Sequence, residues 1–417
     1  MRLGSPATGA DFIGRAQELK DIWQYLEADH LKFPGVRRLG KTSILKRMME
    51  EAPAHGVLAQ WIDVSKIDSA QQFAAVLGEN FPEGSIAQFV TQSGQRVSAW
   101  LQRLKKVDLK LPDILGGGGV EVELQSGQGV SWLGDASQLQ ARLQHQPLLI
   151  LLDEFPVMLQ KLIARDPNEA EALLAWLRIW RQSPGTCRFL FTGSIGLQSL
   201  LERHGLELHM NDCMDCRLGP FKPSDARDLW QTFARQGGWQ SAVQVTDYAL
   251  TRVGWLSPYL LCLLLDESMK AARDREQETG LSPTPPVAGG QIESTGQIQS
   301  SGQIQSTDVD SAYENLLAAR SRFHHWERRL KDSLAEPELG FCLALLTHLS
   351  RKSDGLSLRQ LSTRLSKRLP DAEQCAPLVQ DLLARLSDEG YTSPPDRRGR
   401  VQFSSFLLRD WWSRNHV

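Results

Sequence analysis

The chain has 417 residues, 41% hydrophobic and 23% charged, with a formal net charge of −2. That composition excludes a fibrous or wholly disordered chain, and the balanced charge gives no global attraction to nucleic acid or to an anionic membrane. The longest apolar run, around "YLLCLLL" at 259–265, is far short of a membrane span, and "MRLGSPATGADF" has no apolar targeting core, so no membrane and a cytoplasmic location are expected.

The first element, "DFIGRAQELKDI" at 11–22, reads as a turn leading into an amphipathic helix. A short strand candidate, "HLKF", precedes "PGVRRLGKTS", in which Gly35, four residues, Gly40, Lys41 and Thr42 have the spacing of a phosphate-binding loop. Glycines at both ends let the backbone N–H groups of Gly35, Val36, Arg37, Arg38, Leu39, Gly40, Lys41, Thr42 and Ser43 turn toward phosphates, and the following helix presents its positive end. Lys41 would reach the outer phosphates of ATP, and the Thr42 hydroxyl would hold Mg2+. The bland alternative is a chance match, so a second signal is required.

That signal is "PLLILLDE" at 147–154. Its uninterrupted apolar run suits a strand buried on both faces of a parallel sheet, with Asp153 and Glu154 at the C-terminal end, where open α/β sheets bind ligands. Asp153 is placed to hold Mg2+ and Glu154 to polarise an attacking water. Between loop and acidic strand, "GVLAQWIDVS" reads as another strand and "ILGGGGVEVELQSGQGVSW" as an inserted hairpin. "DPNEAEALLAWLRIWRQ" follows as a helix capped by Asp166. A further strand, "CRFLFTGSIG", ends in Thr192, Gly193 and Ser194; either hydroxyl could sense a γ-phosphate or orient water, or Ser194 could simply cap a helix. Cys213 and Cys216 form one C-x-x-C, which lacks the second pair of a zinc site and reads as reduced thiols.

Residues 1–218 are therefore assigned to a nucleotide-binding α/β core and 219–275 to a helical lid. Residues 276–307, with the units "GQIEST", "GQIQSS" and "GQIQST", read as a disordered linker because one isoleucine per unit builds no core. Residues 308–335 form a helical connector. Residues 336–417 have the pattern of a winged helix: three helices, a wing hairpin at "YTSPPDRRGRVQFSS" and a final helix. This segment carries more Lys and Arg than Asp and Glu, and Arg397, Arg398 and Arg400 cluster at the wing tip as candidate DNA contacts.

Taken in order, "DFIGRAQELKDI", "GVRRLGKTS", "LLILLDEF", "FTGSIG", "RLGPFKPSDARDLW" and "GWLSPYLL" resemble prokaryotic P-loop ATPases of the AAA+ superfamily, in particular the "ATPase domain 2" group related to STAND signalling ATPases. The resemblance implies an α/β P-loop fold followed by a helical lid and a winged helix. It also implies that Phe12, Ile13 and Gly14 lie against adenine, supported by Arg15 and Glu18, and that Pro258 lies near base or ribose. Many relatives carry a sensing arginine in the lid. Here "GWLSPYLL" has none and Arg252 precedes it, which favours a slow nucleotide-gated switch over rapid ring-driven hydrolysis. Arg188, Arg203 and Arg217 are the candidates for an arginine finger.

Three functions compete. The favoured one is an ATP- and Mg2+-dependent switch acting on a protein partner or by self-association. The second is a DNA-dependent ATPase contacting duplex DNA through the winged helix. The third is a nucleotide-binding scaffold without turnover, against which the paired Asp153 and Glu154 argue.

Overall fold

The computed structural model describes residues 4–36, 38–103, 132–193, 196–278, 302–334, 336–366 and 375–416. The described chain forms two compact units. A sheet unit holds the described residues of 16–35 and 41–218, and a C-terminal unit holds those of 1–15, 36–40 and 219–417.

The sheet unit is built on five strands: β1 (His30–Phe33), β2 (Leu58–Asp63), β3 (Leu148–Asp153), β4 (Arg188–Thr192) and β5 (Cys213–Asp215). Their order is β2-β3-β4-β1-β5 and every pairing is parallel. β3 is an inner strand, paired with β2 on one side and β4 on the other, and its apolar run, Leu148 to Leu152, is fully buried. Burying each such side chain contributes about 1.5–3 kcal/mol. Register aligns the strand ends that matter: Phe33 pairs with Thr192, and Asp63 with Asp153. The helix Pro167–Gln182 packs Trp176, Leu177 and Trp180 into this core, and the Asp166 carboxylate caps it by accepting from the N–H groups of Asn168 and Glu169. The chain thus has the α/β fold read from its sequence, with a mainly helical C-terminal region.

At the other end of the sheet, opposite the loop, His30 is held between Arg181 and Arg188. Its ring contacts the Arg181 carbonyl at 3.1 Å and accepts from the Phe189 N–H at 3.1 Å. Burial, then the two guanidinium charges, lower its pKa to about 3. The guanidinium of Arg188 is itself spent on the carbonyls of Leu26 and Gly185, both at 3.1 Å.

The C-terminal unit has one continuous apolar core. It contains helices Pro223–Gln236, Val243–Val253, Pro258–Glu278, Ser306–Ala318 and Arg320–Ser333. One feature corrects the linker assignment. Residues 302–307 are ordered: β7 (Gly302–Ile304) pairs in parallel with β6 (Trp239–Ser241), and a helix begins at Ser306. The single isoleucine of the last repeat, Ile304, is 2% exposed in the core, and Asp308 pairs with Arg275 at 2.9 Å while accepting the Gln305 N–H. The rest of the repeat tract lies outside the described residues, as does the proposed hairpin insert up to Ser131; its last residue, Trp132, begins the helix Trp132–Leu143. Beyond them come helices Glu338–Ser350, Leu358–Leu365 and Cys375–Asp388, with β8 (Leu356–Ser357) antiparallel to β9 (Arg400–Val401), and a last helix Phe406–His416. Trp411 and Trp412 of that last helix are buried in the same core. Among the described residues, no helix is long and apolar enough to cross a membrane.

Candidate nucleotide site

Within the sheet unit, β1 ends at Phe33 and a helix starts at Lys41, so Gly35 and Lys41 stand at the two feet of a loop. Lys41 is 8% exposed and its ammonium donates to the Gly35 carbonyl across the loop. A lysine so held is aimed at the loop's interior rather than at bulk water. Gly40 has φ +92°, a conformation that favours glycine.

The next residue, Thr42, donates its hydroxyl to Asp153 Oδ2 at 2.9 Å. Asp153 is 4% exposed, its Oδ1 accepts the Glu154 N–H at 3.0 Å, and its Oδ2 also accepts the indole N–H of Trp61 at 3.2 Å. Burial, then the nearby Glu154 charge, raise the Asp153 pKa; the bonds from Thr42 and Trp61 oppose them. The pair of oxygens from Thr42 and Asp153 is a hard-donor set of the kind Mg2+ takes beside a nucleotide.

Glu154 itself has φ 57°, ψ 32° and precedes the helix Phe155–Arg165. The non-glycine residues with left-handed backbone among those described are Arg15, Arg38 and Glu154. Two are candidate site residues and the third supports one. Backbone strain of this kind, of order 1–3 kcal/mol each, collects at functional sites.

Thr192 stands at the end of β4, but its hydroxyl donates to the Phe33 carbonyl at 3.1 Å and the residue is 2% exposed. It ties β4 to β1 rather than offering a free hydroxyl, so the expected sensing role does not fit this geometry. Ser194 and Arg37 lie outside the described residues. Gly193 is required by close approach, since a Cβ there would collide with the ring of Pro156.

Within the C-terminal unit, the middle of the same loop is held by several separate segments. The Arg38 carbonyl accepts the Ser257 hydroxyl at 2.9 Å, and the Arg38 guanidinium lies 4.3 Å from the centre of the Tyr259 ring. The Leu39 carbonyl accepts from Arg15 at 3.2 Å; Arg15 also donates to Gly219 O at 2.8 Å and covers Phe221 at 4.5 Å. Val36 packs so closely on Gly390 that a Cβ at Gly390 would overlap it. Ile13 packs on the C-terminal core, Gly14 (φ +73°) lies against Asp225, and Phe12 closes a turn onto Gly9. Pro258 opens the helix that carries Tyr259. Phe12, Ile13, Gly14, Val36, Arg38, Leu39, Gly40 and Pro258 therefore fall in one compact unit, while Gly35, Lys41, Thr42, Ser43, Asp153 and Glu154 fall in the other.

The remaining arginines separate by burial. Arg188 is 4% exposed and bonded to backbone, which removes it as a finger reaching a neighbouring subunit. Arg203 and Arg217 are exposed. Arg252 covers the Tyr313 ring at 4.0 Å and pairs with Asp310 at 3.5 Å. Of the three arginines named as candidate DNA contacts, Arg397 and Arg398 are exposed, whereas Arg400 donates to the Gly355 carbonyl at 2.9 Å. Burial pushes the Cys213 thiol up to about 12, against thiolate formation, and no three His, Cys, Asp or Glu form a metal-binding group among the described residues. Trp61 is the site neighbour that spacing missed. Its role depends on the β2–β3 register, which no local motif encodes.

No family model matches the chain, and no curated protein matches it. Solved structures do. A Walker-type ATPase of Pyrococcus abyssi aligns with 98% of this chain and 98% of its own at 13% identity and a TM-score of 0.57. The ORC2 protein of Aeropyrum pernix, solved as ADPNP–ADP complexes, aligns with 98% of this chain and 94% of its own at 13% identity and a TM-score of 0.51. At these identities the likeness establishes the fold: this chain is folded as a P-loop ATPase.

Proposed function

We propose that the protein is an ATP-binding, slowly hydrolysing switch of the AAA+/STAND type, whose nucleotide state is read by a protein partner or by a second copy. The observation that carries this reading is the grip of Ser257, Tyr259, Arg15 and Gly390 on the middle of the phosphate loop. Phosphates drawing in the backbone N–H groups of residues 36–40 must reorient the Arg38 and Leu39 carbonyls that these residues hold. Occupancy of the loop is thereby transmitted to the lid and to the segment around Gly390.

In this reading Lys41 pairs with the outer phosphates. Thr42 and Asp153 hold Mg2+, which when bound neutralises phosphate charge. Phe12, Ile13, Gly14 and Pro258 enclose the base and ribose. Glu154 accepts the proton of the attacking water, and its fixed left-handed backbone orients the carboxylate relative to Asp153. Slow turnover is supported by Arg252, which is committed to Tyr313 and Asp310. Residues 336–417 act as a winged helix used for packing. Hydrogen exchange tests the coupling: adding ATP is expected to change amide protection in the helices Pro258–Glu278 and Cys375–Asp388. Change confined to the loop and the helix Lys41–His55 would leave nucleotide binding standing and remove the switch.

A second reading, a DNA-dependent ATPase, is favoured by the exposed Arg397 and Arg398 at the hairpin turn. It requires salt-sensitive duplex binding that the Arg397→Ala, Arg398→Ala pair weakens.

A further inference from the structure

Asp153 is held by three donors, and one of them belongs to no phosphate-loop motif. Trp61 lies on β2 opposite Leu151, so its side chain shares a face with Leu151 and Asp153, and the indole spans the diagonal to Asp153 Oδ2 at 3.2 Å. The same oxygen accepts the Thr42 hydroxyl. The other side of the arrangement is closed by Lys46, one helical turn beyond Thr42, whose ammonium lies 5.4 Å from the Trp61 ring centre. Trp61 is half-buried, between helix and strand, so the ring has little freedom to swing away.

We infer that Trp61 is a positioning residue for the magnesium carboxylate: its indole N–H fixes the rotation of Asp153, and thereby sets how strongly nucleotide binding responds to Mg2+. Thr42 and Asp153 must both present oxygen to the cation, so the donor that holds the carboxylate in the cation's presence has to be one that is not itself a ligand. The Glu154 N–H meets that requirement on Oδ1, and the indole N–H of Trp61, which has no lone pair to offer, meets it on Oδ2, the oxygen that Thr42 also touches. Partners that orient a ligand in this way typically alter metal affinity by about 10–100-fold when removed. The inference rests on the nucleotide reading above.

The test is equilibrium binding of a fluorescent ADP analogue, first in EDTA and then across a Mg2+ titration. The parent is expected to bind more tightly as Mg2+ rises. W61F keeps the ring and loses the N–H; it should match the parent in EDTA and need about tenfold more Mg2+ for the same gain. W61H retains a ring N–H and should recover part of that loss, which a purely packing role would not allow. A parent that ignores Mg2+ would fault the nucleotide reading. A Mg2+-responsive parent with W61F on the same curve would overturn the role of Trp61. If circular dichroism shows W61F unfolded, W61H and W61M carry the comparison, and equal Mg2+ requirements overturn it.

Discussion

Glu154 occupies a backbone conformation that costs a side-chain-bearing residue roughly 1–2 kcal/mol, and its N–H is what closes the bond to Asp153 Oδ1. The two adjacent acids thus differ in setting: Asp153 is buried and triply held, while Glu154 stands at the head of the helix Phe155–Arg165. His30, at the far end of β1, offers a separate check on the sheet unit. Its folded pKa, about 3, lies below the ordinary 6.5, so between those values the unfolded chain binds the extra proton. Stability contributed by neutral His30 is complete above pH 6.5 and is lost as pH falls toward 3, at up to about 1.4 kcal/mol per pH unit. Urea unfolding at pH 7 and pH 5 should show this loss in the parent and a shallower one in His30→Gln; equal slopes would contradict it. The same residue scale shows where sequence reading stops. Lys41, Thr42 and Asp153 announce themselves by spacing and by a strand end. That the Thr192 hydroxyl is consumed by Phe33, and that Trp61 reaches Asp153, follow only from the pairing of β1 with β4 and of β2 with β3.

At the scale of elements, β3 was legible because a strand covered on both faces must be apolar throughout, and a helix of that composition would be longer. β7 was not. Three residues with one isoleucine carry no periodic signal, and only Trp239–Ser241 as a partner makes them a strand. The turn after β4 is set by one close approach. Gly193→Ala should push the Pro156 ring and the helix behind it, costing about 1–3 kcal/mol by overpacking. A urea midpoint equal to the parent's would show that the turn can yield. Because Pro156 is two residues from Glu154, turnover should fall in the same variant even where its fold persists.

At the scale of the whole molecule, the chain enters the sheet unit at Ala16, leaves it for residues 36–40 and returns at Lys41, so the glycine-rich segment 35–41 contributes residues to each of the two compact units. Sequence reading foresaw the fold class, because strands alternating with helices leave few alternatives. It did not foresee that division, which depends on Ser257, Arg15 and Gly390 meeting residues far away in sequence. On the proposed function, Lys41 is needed for ATP binding and Glu154 for turnover. The most direct measurement is steady-state ATP hydrolysis by the purified protein beside Glu154→Gln, with and without duplex DNA, and with bound nucleotide recovered afterwards. We predict slow hydrolysis that DNA leaves unchanged, a fall of about 10²–10⁴-fold in Glu154→Gln, and ATP retained in that variant. Hydrolysis by Glu154→Gln at the parent's rate would contradict the assignment of the base and the switch built on it.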